Sequence, residues 1–333
     1  MKKLTKILLC GLLVLAGLGL LAACGGNETK AKSIMIYSTA EDYRNEQARQ
    51  MLTEKFPEYD IQLVDIDTGT LAAKLAAEGA DTDADIVLEL ESTYLEKVSN
   101  SLAVLDNVDF SVYMEELVPE HHKFAPWYRL CGGIIVDTEA LAAKNLPAPA
   151  SYDDLLKPEY KGLISMPSPK SSSTGYIFLL NMVNERGEDA AFAYFDQLAE
   201  NMSGQGFTTS GSGPVKALLT GEAAIGLGIT YQAVEMINEG SNFEIIFFAE
   251  GAPYTTGGSA VIAGRETDAD IMKVFDYIVS DVTPADKERF APERIYKEQE
   301  ISVPNYPQNI PYGNMAGLRD IELKERLLDK WNH

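Results

Sequence analysis

Between residues 33 and 91 short apolar runs alternate with stretches of helical period, and this alternation constrains the fold more than any other feature of the chain. Ser33-Ile34-Met35-Ile36-Tyr37 reads as a buried strand. Ala48, Met51, Leu52 and Phe56 recur at helical spacing and predict a helix over 41–56. Ile61-Gln62-Leu63-Val64 is a second strand, 71–79 a helix ended by Gly79, and Ala84-Asp85-Ile86-Val87-Leu88 a third strand. Strand–helix–strand–helix–strand predicts parallel pairing and a doubly wound α/β sheet. Ligands of such sheets bind beyond the carboxyl ends of the strands.

The pattern resumes at Gly132-Gly133-Ile134-Ile135-Val136, a further strand. Residues 145–157 are rich in Pro, Ala and Asp and read as a loop with one short helix. Strands follow at 162–166, 223–229, 243–248 and 259–263, with helices at 174–184, 189–198 and 214–219, the last opened by Pro214. Helices are expected to dominate from Asp268 onward. A chain of 333 residues has room for two domains, and no fixed-period repeat runs through it.

The N-terminus carries a different signal. Lys2, Lys3 and Lys6 precede an apolar run from Ile7 to Ala23, which ends in Leu21-Ala22-Ala23-Cys24-Gly25-Gly26. A basic start, a short apolar core and small residues at the end make a secretory signal. The run is shorter than the ~20 residues of a spanning helix. Cys24 after Leu-Ala-Ala resembles the lipobox of bacterial lipoproteins. That resemblance implies cleavage of a signal peptide over 1–23, acylation of the Cys24 sulfur and a lipid-anchored tether over 24–32 on the outer face of a membrane. The removed part holds three lysines and no acid, so the mature chain is more acidic than the net charge of −22 for the whole. Nucleic acid is excluded as a partner for so acidic a chain. The acid is spread over candidate helices as a solvated surface, which leaves the sign of a local site open. Cys10 leaves with the signal and Cys24 carries lipid, so Cys131 has no partner for an internal disulfide.

The order of elements, with Asn145-Leu146-Pro147-Ala148-Pro149-Ala150-Ser151-Tyr152-Asp153-Asp154-Leu155, Pro158-Glu159-Tyr160-Lys161-Gly162, Ser210-Gly211-Ser212-Gly213-Pro214 and Gly221-Glu222-Ala223-Ala224-Ile225-Gly226, resembles the extracellular solute-binding lipoproteins of ABC importers. The nearest branch includes binders of ferric iron, sugar phosphates and aminoethylphosphonate. The resemblance implies two doubly wound α/β lobes of the periplasmic-binding-protein-like II type, joined by two crossing strands. Lobe 1 is expected to take 33–130 plus 260–333, and lobe 2 to take 135–255. Crossings are expected near 130–136 and 251–260. It also implies a non-enzymatic, monomeric receptor without a cofactor, handing a small solute to ABC permease subunits.

Three Ser/Thr/Gly clusters stand where a strand gives way to a helix: Ser38-Thr39, Ser172-Ser173-Thr174 and Ser210-Gly211-Ser212. A helix start offers free N–H groups and partial positive charge to a phosphate, phosphonate or carboxylate. Each cluster alone is equally a set of helix caps. Glu89 and Glu91 end a strand and suit an amine. Arg129 suits an anion. Tyr254-Thr255-Thr256-Gly257-Gly258 lines the cleft or forms the hinge, and Thr256 is its ligand candidate. Thr230-Tyr231-Gln232 stands where the iron branch carries paired tyrosines. One tyrosine weakens the ferric alternative without removing it. His121-His122 reads as a solvated loop. Cys131 reads as a buried small residue on a crossing strand. Its alternative is the nucleophile of a thiaminase-like enzyme, which needs a nearby base.

Overall fold

The structure is a computed structural model and describes residues 31–204 and 206–333. The signal peptide, Cys24 and most of the tether lie outside the described residues. In chain order the main elements are β1 (Lys32–Ser38), α1 (Asp42–Lys55), β2 (Tyr59–Asp65), α2 (Thr68–Glu78), β3 (Ile86–Glu91), α3 (Ser92–Lys97), β4 (Ala125–Asp137), α4 (Thr138–Ala143), β5 (Ile164–Ser165), α5 (Ser173–Arg186), α6 (Glu188–Leu198), α7 (Gly213–Leu219), β6 (Ile225–Ile229), α8 (Thr230–Asn238), β7 (Phe243–Ile246), β8 (Tyr254–Val261), α9 (Ala269–Tyr277), α10 (Thr283–Arg289) and α11 (Ile321–Lys330).

The sheet order is β2-β1-β3-β8-β4-β6-β5, with β7 also on β4. β1 pairs in parallel with β2 and β3, as the alternation predicts. Ile34, Ile36, Ile61 and Leu63 point into one core with Ala48, Leu52 and Phe56 of the helical stripe. Each of the Ile, Leu and Phe side chains contributes about 1.5–3 kcal/mol by leaving water. Asp67 starts α2 by accepting from Thr70 N, and Gly79 ends it at φ 59, a left-handed backbone suited to glycine.

The pairing turns antiparallel where β8 enters the sheet. β4 pairs with β8 up to Cys131, then with β6 and β7 from Gly132. It therefore serves both lobes along one strand. Sequence periodicity marks only its second half. The first half holds Pro126 and a register shift between Pro126 and Tyr128 that breaks the alternation.

Hydrophobic packing carries the C-terminal stretch from one lobe to the other. Ile271, Val274, Phe275, Ile278 and Val282 join the core of β1–β3, and Ile295 packs with Tyr113 and Leu117. From Ile301 the chain packs instead against the second lobe: Tyr306, Met315, Leu318, Leu327 and Trp331 sit with Tyr176, Phe178 and Phe195. Residues 301–333 thus add apolar side chains to the core of lobe 2 while Lys324, Glu325 and Arg319 reach Glu91, Lys97 and Leu117 of lobe 1. The helical run from Asp268 also stops at Arg289, and only α11 follows an irregular stretch. That stretch is held by side chains from both lobes, a signal with no period.

Candidate functional site

A cleft of about 630 Å³ opens where strands of both lobes end. Thr39 to Asp42 and Asp65 to Thr68, the β1–α1 and β2–α2 corners, form its first wall. Ser173 and Thr174 at the start of α5, Ser210 to Ser212 before α7, and Tyr231 and Gln232 at the start of α8 form the opposite wall. Tyr128 and Leu130 of β4 and Thr255 of β8 make the floor.

The second wall presents hydroxyls and backbone donors. Ser172 caps α5, its Oγ accepting from Thr174 N at 3.2 Å. The Ser173 hydroxyl donates to the buried Glu91 carboxylate at 2.6 Å, and Lys324 holds the other oxygen of that carboxylate at 2.5 Å. Burial opposes ionisation of Glu91, but Lys324, Ser173 and Thr93 outweigh it and keep its carboxyl below the usual range. Gly211 lets the 210–212 loop approach α5 closely: a Cβ there would stand 2.7 Å from Thr174 Oγ1. Two buried polar atoms of cleft residues, Thr255 Oγ1 and Gln232 Oε1, have no hydrogen-bond partner among the described residues.

The first wall presents carboxylates: Glu41, Asp42, Asp65 and Asp67. Among the described residues lining the cleft there is no Lys, Arg or His. Glu41 accepts from Arg44 Nη1 at 2.9 Å and from the Tyr231 hydroxyl of the other wall. Burial works against its ionisation, yet Arg44 and Tyr231 bring its carboxyl below the ordinary range. Tyr231 responds in the opposite sense: burial and the Glu41 charge push its phenol well up. Arg44 is itself buried and donates to both oxygens of Asp286 at 2.8 and 2.9 Å. It also pairs with Glu89. Glu89 stands at φ 61, and its backbone carbonyl accepts from the cleft-lining Thr39 at 2.7 Å.

Two corners that offer anion donors and carboxylates across one cleft, bridged by strands serving both lobes, describe a receptor for a small solute. Residues 84–294, more than half of the chain, match the family of bacterial extracellular solute-binding proteins. The chain belongs to that family. This solute-binding protein is 27% identical over 266 residues to an uncharacterized protein of Haemophilus influenzae, covering 77% of this chain and 74% of that one. Its fold is similar to that of the periplasmic binding protein AfuA from Actinobacillus pleuropneumoniae, solved with fructose 6-phosphate, at TM-score 0.76 and 20% identity over 90% of this chain and 97% of that one. Iron-bound HitA from Pseudomonas aeruginosa gives TM-score 0.75 at 17% identity, covering 90% and 99%. Such proteins work outside the cytoplasm, and no described helix here is long and apolar enough to cross a membrane.

Of the residues singled out in the sequence, this solute-binding protein brings Thr39, Ser173, Thr174, Ser210, Gly211, Ser212 and Tyr231 to the cleft. It does not bring the others. Ser38 lies beneath, its Oγ accepting from Ala40 N at 3.2 Å. Ser172 is the cap of α5. Thr230 turns back to Cys131 Sγ at 3.2 Å. Thr256 meets Ser92 at 2.6 Å while its neighbour Thr255 faces the cleft. Arg129 is likewise one residue out of phase: Tyr128 and Leu130 face the cleft. Arg129 points away to Glu116 at 3.0 Å and lies 4.0 Å from the Tyr312 ring. Strand alternation accounts for both. Glu89 and Glu91 are buried behind the walls, engaged with Arg44 and Lys324.

Sequence reading missed Glu41, Asp42, Asp65, Asp67 and Tyr128, and within the stretches it named it chose Thr256 over Thr255 and passed over Gln232. The rule that selected Ser38-Thr39, a polar pair at the end of a parallel strand, also picks Asp65 and Asp67 after β2. Cys131 is fully buried, and burial, aided by the nearby Glu293 charge, pushes its thiol well up.

Proposed function

We propose that the protein captures a small phosphate ester or phosphonate that also bears an amine, and delivers it to the permease of an ABC importer. The carrying observation is the two-sided cleft. Hydroxyls and the start of the 14-residue α5 face four carboxylates, with no basic side chain among the described residues between them. A helix start and Ser/Thr hydroxyls suit the anion. The opposite carboxylates repel a purely anionic solute and attract its ammonium group. AfuA, a protein of the same fold, holds a sugar phosphate. Closure of the lobes about β4 and β8 sequesters the solute. The chain binds and releases without chemistry, since a fully buried thiol with raised pKa is a poor nucleophile. Acylated Cys24 tethers it to the membrane. Changing Cys24 to Ala releases it into the soluble fraction on cell fractionation, and unchanged membrane retention would refute the anchor.

Ferric iron is the second reading. Tyr231 and Tyr128 in the cleft, with Glu41 on the Tyr231 hydroxyl, are hard oxygen donors of the kind ferric iron prefers. HitA, also of this fold, was solved with iron. Native mass spectrometry and metal analysis of protein purified without refolding separate the two. A bound mass carrying phosphorus supports the first reading. Stoichiometric iron with a tyrosinate charge-transfer colour overturns it.

A further inference from the structure

Beside the cleft lies a second chamber of about 260 Å³, also walled by both lobes. Tyr43 and Phe290 come from lobe 1, with ring centroids 5.0 Å apart. Tyr231, Glu235 and Asn238 come from one face of α8, and Tyr306 completes the wall from the C-terminal stretch. The chamber is continuous with the cleft in its lining. Tyr231 borders both, and Tyr43 follows the cleft residues Glu41 and Asp42 directly.

Its chemistry is aromatic and negative. Glu235 and Glu239 line it, and among the described residues neither forms an ion pair. Burial and the like charges of Glu239 and Glu41 raise the Glu235 carboxyl, so negative charge is crowded there without a counter-ion. The one basic side chain in the lining, Arg289, is directed to Gln47 at 3.0 Å and stacks 4.9 Å from the Phe290 ring. Aromatic faces with carboxylates favour an organic cation over a neutral or anionic group, and most strongly one whose alkyl groups shed water easily.

We propose that this chamber is a subsite for an alkylated ammonium group, the cationic end of the solute whose anion meets Ser173, Thr174 and Ser210–Ser212. The position of the anion rests on the proposed phosphate or phosphonate function; the chamber rests on its own lining. Filling it bridges α1 and α8, so the cation helps hold the lobes together.

Isothermal titration calorimetry with ethyl phosphate, phosphocholine and choline chloride tests this. Phosphocholine is expected to bind about tenfold tighter than ethyl phosphate. Tyr43→Ala and Glu235→Gln, both at exposed positions outside the core, are each expected to erase that advantage. Equal affinity for phosphocholine and ethyl phosphate, or an advantage that survives both substitutions, overturns the subsite. Choline binding as tightly as phosphocholine, with no uptake of ethyl phosphate, keeps the chamber and overturns the phosphate reading. No binding of any of the three overturns both.

Discussion

Glu89 gives the sharpest test of how the first wall is held. It is buried at the end of β3, with Oε1 on Arg44 and no partner for Oε2 among the described residues. Burial raises its pKa to about 8; Arg44 opposes the rise, and Asp286 and Glu41 add to it. In the unfolded chain a glutamate titrates at about 4.3. The folded pKa is the higher one, so the stability linked to this proton is complete below about pH 4. It is lost as pH rises towards about 8. A tenfold difference in proton affinity between the folded and unfolded chain is worth about 1.4 kcal/mol, which gives the whole window a ceiling of roughly 5 kcal/mol. Sharing of charge with Asp286 and Lys287 reduces this to a few kcal/mol. Glu89→Gln keeps an amide oxygen for Arg44 and removes the titration. Urea unfolding of both proteins from pH 5 to pH 9 reads the difference. The variant should gain on the wild type by about 1 kcal/mol for each step of one in pH and level off once Glu89 ionises in the fold. A difference independent of pH, or a wild type that gains with rising pH, would refute the reasoning. It would mean that Arg44 keeps Glu89 ionised throughout.

Other substitutions probe the remaining supports. Lys324→Met strands the buried Glu91 carboxylate and should cost about 3–5 kcal/mol in urea unfolding, with much of the loss recovered by adding Glu91→Gln. Gly211→Ala places a Cβ 2.7 Å from Thr174 Oγ1. It should push the 210–212 loop off α5 and weaken solute binding about tenfold by calorimetry, with a stability change under about 1 kcal/mol. Cys131→Ser should leave binding unchanged and cost about 1–2 kcal/mol, since a buried hydroxyl is harder to desolvate than a thiol. In the wild type a thiol reagent should label Cys131 only on unfolding.

The sequence discloses what burial dictates. β1, β2 and α1 are legible because Ile34, Ile36, Leu52 and Phe56 leave water on one face of each element. The Ser/Thr clusters are legible because three of them recur where a strand gives way to a helix, although capping is their commoner use and Ser172 is a cap. The phase of a strand is less visible. Whether Thr255 or Thr256, Leu130 or Arg129, faces the cleft is set by pairing of β4 with β8 and its register shift at Pro126–Tyr128, a contact between distant segments. The acidic wall is hidden for another reason. Asp42, Asp65 and Asp67 look like any solvated carboxylates until two corners of the sheet bring them together. The route between α10 and α11 carries no period, because its apolar residues Ile295, Val303, Tyr306, Met315 and Leu318 are scattered over two cores.

That route has a mechanical consequence. β4 and β8 lie side by side, hydrogen-bonded as one ribbon, and a ribbon alone both bends and twists. The chain passes between the lobes once more between Tyr296 and Ile301, just beyond the point where Arg294 O accepts from Arg129 at 2.9 Å and Glu293 accepts from Cys131 N at 2.8 Å, and α11 is pinned to β3 through Lys324 and Glu91. A third connection bonded to the ribbon makes the hinge stiffer than two strands alone. Parting the walls breaks the hydrogen bond that the Tyr231 hydroxyl donates to Glu41, so the stiffer hinge and that bond both hold the cleft shut.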